Sequence, residues 1–122
     1  MRIEKFEELQ CWQEARKLTR TLYAYTKNAG FSNDLRLTEK ATGASISVMT
    51  SISEGFHARS AKIFIRLLGD ARRSVAEVQS CLYVALDQQY IQHDDFIGGY
   101  LQCTVVRKLI NGLIGRLNSR VT

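Results

Sequence analysis

The fold is decided by residues 60–90, which read SAKIFIRLLGDARRSVAEVQSCLYVALDQQY. Within this stretch, apolar residues recur without interruption at steps of three and four: Ala61, Phe64, Leu68, Ala71, Val75, Val78, Leu82 and Ala85. Such steps place side chains on one face of a helix. A sustained 3.5-residue period is typical of left-handed, coiled-coil-like packing. The pattern predicts a long helix over about 60–90.

The same period appears in three other stretches and predicts helices over about 6–29, 34–56 and 94–119. Gly30 is expected to take a left-handed cap at the end of the first of these helices. The last helix carries a second apolar line beside its main one, formed by Leu101, Val105 and Leu109. Its four glycines favour close helix contact, within the chain or between chains.

Short connections join these four predicted helices, so neighbours are expected to run antiparallel. The sequence therefore predicts an all-α protein, an up-down-up-down antiparallel four-helix bundle with left-handed coiled-coil-like packing. At 122 residues without a proline, the chain suits a single domain over residues 1–122.

Composition excludes several classes of protein. No run approaches the length of a membrane span, so we expect no membrane partner. The N-terminus lacks the apolar core of a signal peptide, and the three cysteines are odd in number and lie within apolar patterns. We therefore expect a cytoplasmic protein with reduced thiols.

Motifs that carry chemistry are scarce. Glu54 and His57 have the spacing of one half of a di-iron site, but a single pair at a predicted helix end favours an ordinary polar turn. Ser60 lies near His57, yet it is better explained as a helix cap. We expect no enzyme activity, no catalytic residue, no metal and no cofactor.

Basic residues are more informative, because the net charge is +5 and three segments are poor in acids. We interpret the cations of these segments as candidate phosphate contacts without base specificity. The candidates are Arg16, Arg20, Arg59, Lys62, Arg66, Arg72, Arg73, Arg107 and Lys108. Alternatively, they form a solvated surface or pair with acids of another copy.

Three ordered motifs carry a family resemblance: FEELQCWQEA at residues 6–15, SISEGF at residues 51–56 and RSAKIFIRLL at residues 59–68. The residues that match the pattern, and that we expect to be structural, are Phe6, Leu9, Trp12, Glu54, Gly55, Arg59, Ser60 and Phe64. The chain resembles the four-helix bundle proteins encoded in intervening sequences of bacterial 23S ribosomal RNA genes, often labelled S23 ribosomal protein. A relative is the accessory variability determinant of diversity-generating retroelements.

This resemblance implies a homo-oligomer, typically a pentameric ring, without an assigned activity. It also implies nucleic acid as a partner, and a reverse transcriptase where the gene accompanies a retroelement. Gly55 is expected to end the second helix so that the chain can turn, with Glu54 and Arg59 pairing across that turn.

Two functional hypotheses follow. In the first, a non-enzymatic oligomeric bundle binds RNA or DNA through a basic surface as an accessory protein. In the second, the protein is a structural or protein-interaction module whose basic residues serve contacts between protomers.

Overall fold

A computed structural model describes residues 2–121, and within that range the chain is all-α, with no strand. Its elements are a short 3₁₀ helix at Phe6–Glu8 and five α-helices: α1 Gln10–Tyr25, α2 Ala29–Asn33, α3 Leu35–Phe56, α4 Ala61–Asp87 and α5 His93–Val121. Four of the α-helices are long, and α2 is a single short turn.

The prediction of one continuous helix over residues 6–29 is wrong. Leu9 has extended backbone angles (φ −72°, ψ 126°), which separates the 3₁₀ helix from α1. Asn28 is also extended (φ −64°, ψ 135°), so α2 begins anew at Ala29. The apolar period continues across both breaks, and therefore it could not reveal them.

Gly30 is not the predicted left-handed cap. It lies within α2, and no glycine among residues 2–121 has a positive φ. A Cβ added at Gly30 would lie 2.9 Å from Cδ1 of Tyr90, so this glycine permits close packing of α2 against the Tyr90 ring. The left-handed residue of the described chain is instead Gln89 (φ 63°), which follows α4.

Side-chain caps define where α3 and α4 begin. The Asp34 carboxylate accepts a hydrogen bond from the backbone N–H of Leu37 (3.1 Å) at the start of α3. The Ser60 hydroxyl accepts one from the N–H of Ile63 (3.2 Å) at the start of α4. Each satisfies a backbone donor that has no partner inside its own helix.

The inner faces of the long helices form one apolar core. Leu68, Val75, Val78 and Leu82 of α4 are completely buried, as are Leu18 and Leu22 of α1. The helices α1 and α4 each pack between α3 and α5. Contacts between distant residues fix this packing, for example Glu14 with Gln102, and Thr19 with the carbonyl of Ser45.

Gly55 is the second glycine whose role differs from expectation. It lies inside α3, which continues to Phe56, and it is buried. An added Cβ would lie 2.7 Å from Cδ1 of Phe64 and 3.3 Å from Cβ of Leu67. Gly55 therefore allows the start of α4 to approach α3, rather than ending the helix.

Candidate nucleic-acid interface

The outer face of α4 begins with a line of cations. Lys62, Arg66 and Arg73 follow one another at steps of four and seven, which places them on one side of the helix, and all three are exposed. Arg59 lies just before α4, in the turn that leads into it. The α4 N-terminus adds the positive end of a 27-residue helix to the same region.

Two further arginines extend this face towards α5. The guanidinium of Arg72 donates a hydrogen bond from Nη1 to the side-chain oxygen of Asn111 on α5 (2.7 Å). Arg107 of α5 is half-buried, and its charge acts on the Cys103 thiol one turn earlier. Arg72 and Arg107 thus lie along the junction between α4 and α5.

We call these six residues the α4 basic surface: Arg59, Lys62, Arg66, Arg72, Arg73 and Arg107. Within residues 2–121, the carboxylate that pairs with them is Asp70, which accepts from Nη2 of Arg73. The other ion pairs of the described chain join Lys17 to Glu14 and Lys40 to Glu77. Lys62, Arg66 and Arg107 therefore keep their charge free of any ion pair in that range.

The remaining three sequence candidates lie elsewhere. Because α1 and α4 each pack between α3 and α5, their outer faces point away from each other. Arg16 and Arg20 are exposed on α1, where the Arg16 guanidinium lies 6.0 Å from the centre of the Trp12 ring. Lys108 borders a separate cleft, where α5 meets the N-terminal segment. Six of the nine candidates therefore lie on α4, in the turn before it or along its junction with α5.

The family-motif residues meet at the end of the molecule where α3 turns into α4. The ring of Phe6 packs edge-on against Trp12 (5.2 Å between ring centres) and against His57 (6.0 Å). Phe56 and Phe64 pack edge-on at 6.4 Å. The first motif, about 35 residues before the second and third, therefore joins them in one structural cluster, which also includes buried Leu9 and Gly55 and the Ser60 cap.

The prediction of an ion pair between Glu54 and Arg59 is wrong. Both side chains are exposed, and no pair joins them within the described range. The short turn puts both residues at the surface, where an isolated ion pair stabilises little.

His57 contacts the Phe6 and Phe56 rings, and residues 2–121 contain no group of three His, Cys, Asp or Glu side chains placed to hold a metal. All three thiols are buried. Burial raises the pKa of Cys103 to about 12, against a smaller opposing effect of the Arg107 charge. Burial also raises the pKa of Cys11 to about 11, so these thiols resist forming the reactive thiolate.

Within the described range, no helix is both long and apolar enough to cross a membrane. A comparison with curated proteins gives no match. Among solved structures, the chain is similar to a protein of unknown function from the S23 ribosomal protein family of Bacteroides thetaiotaomicron. The TM-score is 0.78 at 18% identity, over 85% of this chain and 97% of that one, which shows a shared fold.

A family model described as 23S rRNA-intervening sequence protein matches residues 7–112, which contain the second and third motifs, the first motif except Phe6, and the whole α4 basic surface. The chain therefore belongs to the 23S rRNA-intervening sequence protein family.

Proposed function

We propose that the protein is a non-enzymatic, oligomeric accessory protein that binds RNA or DNA without sequence specificity through the α4 basic surface. One observation carries this proposal: within residues 2–121, no ion pair involves Lys62, Arg66 or Arg107, and the acid that pairs on this surface is Asp70, with Arg73. Cations arranged in this way neutralise phosphates and release counterions, which is the main source of nonspecific affinity.

The dimensions of the surface suit a nucleic-acid backbone. Lys62 and Arg73 are eleven residues apart on one helix, which corresponds to about 16 Å along its axis. One strand of duplex presents a phosphate about every 3.4 Å along its axis, so the line spans roughly five phosphates. The α4 basic surface offers exposed arginine and lysine side chains, the residue types that most often contact phosphates, which favours backbone contact.

The outer face of α5 supports the oligomeric part of the proposal. Ile97, Leu101 and Val105 follow one another at steps of four and are 40%, 59% and 41% exposed. Aliphatic side chains in such a row on one helix face favour coverage by another apolar surface. We propose a second copy of this chain as that cover. The resemblance to pentameric rings favours a homopentamer, which would carry a formal charge of about +25.

The proposed architecture is the up-down-up-down antiparallel bundle. Its support lies in contacts whose residue numbers rise on one helix as they fall on the next. Glu14 with Gln102 and Tyr25 with Asp95 relate α1 to α5 in this way. For α3 and α4, the corresponding contacts are Phe56 with Phe64 and Lys40 with Glu77.

Charge reversal on α4 tests the proposal. We expect Lys62→Glu/Arg66→Glu to weaken binding of short RNA and DNA by at least about tenfold at low salt, measured by fluorescence anisotropy. The substitutions place acids near a helix N-terminus, which helices tolerate well. Arg16→Glu/Arg20→Glu changes the charge equally on the opposite face and should leave most of the affinity. Equal losses in the two variants would contradict a localised site.

A structural or protein-interaction module is the second candidate, favoured by the same exposed row on α5. Its basic residues would then serve contacts between protomers. In that case, Lys62→Glu/Arg66→Glu would change the mass in light scattering, and wild-type protein would not retard nucleic acid at low salt. A reverse transcriptase partner is proposed for the case in which the gene lies beside one, which inspection of the genomic neighbourhood tests.

A further inference from the structure

A cleft of about 720 Å³ opens at the end of the molecule where the N-terminal segment crosses the last turns of α5. Its volume lies within the range of about 300–1,000 Å³ that is typical of small-molecule sites. Neither the α4 basic surface nor the exposed row of α5 accounts for it.

The floor of the cleft is apolar and reaches the core. It is formed by Leu9, Phe56, Phe64, Leu109, Leu113 and Leu117. Leu9, Leu113 and Leu117 keep 7–9% exposure, whereas Val106 and Ile110, further along the core face of α5, are fully buried. Part of the core surface is therefore open to the cleft, and any group that covers it would gain from apolar burial.

The rim of the cleft is cationic. Arg2, Lys108, Arg116 and Arg120 line it, and the acid among the lining residues is Glu8. Glu8 accepts a hydrogen bond from the backbone N–H of Glu4, and no ion pair within residues 2–121 involves Lys108 or Arg116. The Arg116 guanidinium folds back over Gly112, with Nη1 3.7 Å from where a Cβ at that position would lie. This places its charge on the wall of the cleft.

An apolar floor beneath a cationic rim matches a ligand that has an aliphatic body and one anionic head. A nucleotide base fits less well, because most of its polar edges would face leucines and phenylalanines, which offer no hydrogen bond, with Gln10 as the neutral polar side chain of the lining. A second copy of the same cleft fits poorly as well, since two cationic rims would repel each other. We propose that this cleft binds an amphiphilic carboxylate of the medium- to long-chain fatty-acid class, with its head between Lys108 and Arg116.

The proposal is independent of nucleic-acid binding, because the cleft does not include the α4 basic surface. The probe is dodecanoate, titrated as a monomer into the full chain by isothermal calorimetry. We expect saturable binding with one site per chain. Dodecyltrimethylammonium has the same chain with a cationic head and should bind at least tenfold more weakly.

Two variants test the position of the site. Lys108→Glu/Arg116→Glu should weaken dodecanoate binding at least tenfold, while the charge-matched Arg16→Glu/Arg20→Glu should bind like wild type. Gly112→Phe should fill the cleft and abolish binding without loss of helical circular dichroism, because the side chain found within 4 Å of the new Cβ among residues 2–121 is that of Arg116, at the far end of a flexible chain. The absence of saturable binding would overturn the proposal. So would equal binding of both head groups, or unchanged binding in Lys108→Glu/Arg116→Glu.

Discussion

The helices α4 and α5 have similar apolar inner faces, but their outer faces differ in polarity. Inside, both present an uninterrupted apolar row, with Val75 on α4 and Val106 on α5 fully buried. Outside, α4 presents Lys62 and Arg66, whereas α5 presents Leu101 at 59% exposure. The core constrains only the inner faces, so the outer faces are where these two helices can take on different functions.

We expect the largest effect, a change in the mass of the assembly, from substitutions on the outer face of α5. Leu101→Glu/Val105→Glu puts two carboxylates into the apolar row that we propose to be covered by another copy. We expect the mass by size-exclusion light scattering to fall severalfold, to the 13.9 kDa of one chain. The matched control is Lys62→Glu/Arg66→Glu on α4, which should keep the wild-type mass. A wild-type protein that is already monomeric would contradict the proposed assembly.

The next effect is a loss of stability, and it tests the contact between the inner face of α4 and α3. Gly55→Ala would place a methyl group 2.7 Å from the Phe64 ring and 3.3 Å from Leu67, so the Phe64 ring or the start of α4 must move. We expect a loss of about 1–3 kcal/mol in the free energy of unfolding, measured with denaturant.

Its matched control is Gly69→Ala within α4, where no atom of residues 2–121 beyond its chain neighbours and the local backbone of α4 lies within 4 Å of the new methyl group. That variant should gain up to about 1 kcal/mol, because alanine is the better helix former. Equal stability of the two variants would show that Gly55 is not a packing contact.

The inner faces of α4 and α5 each carry a buried cysteine, so both should make stability depend on pH. Burial raises the pKa of Cys103 on α5 to about 12, and it also raises that of Cys81 on α4. The folded state thus prefers the neutral thiol. The resulting contribution to the free energy of unfolding is fully present below the unfolded pKa of about 8.5, and it is lost as the pH rises towards 12.

For Cys103, we expect up to about 1.4 kcal/mol of the free energy of unfolding to be lost for each pH unit between about pH 9 and pH 12. Chemical denaturation between pH 8 and pH 10 measures it, and Cys103→Ala should show a shallower decline than wild type. An equal decline in both proteins would contradict the thiol as its source.

The smallest effect concerns the acid of the α4 basic surface. Asp70→Asn removes the partner of Arg73 and should tighten RNA binding by about two- to fivefold, measured by anisotropy. The loss of one exposed ion pair should cost less than about 1 kcal/mol of stability. Asp87→Asn, at the far end of α4, serves as the control and should leave the affinity unchanged.

The sequence predicted what depends on periodicity and missed what depends on backbone angles or tertiary approach. The apolar rows of α4 and α5 were visible because every third or fourth residue is apolar. The breaks at Leu9 and Asn28 were not, since the same period crosses them. The sequence pattern marks Gly30 and Gly55 as helix ends, but each admits an aromatic ring from another element, that of Tyr90 at Gly30 and that of Phe64 at Gly55.

The candidate site follows the same rule. Acid-poor segments identify which residues are basic, but the neighbours of each helix determine which cations share a face. Arg16 and Arg66 therefore looked equivalent in sequence and lie on opposite faces of the molecule. The cleft joins Leu9 to Leu117, and no local pattern relates residues so far apart.

The salt dependence of RNA binding tests whether the α4 basic surface binds nucleic acid through phosphates. For wild type, the logarithm of the association constant should fall linearly with the logarithm of the salt concentration, because bound cations release counterions. Lys62→Glu/Arg66→Glu should reduce the magnitude of that slope by about two, roughly one for each lost phosphate contact. Arg16→Glu/Arg20→Glu should keep the wild-type slope. No binding at low salt, or the same slope in all three proteins, would contradict nucleic-acid binding through the α4 basic surface.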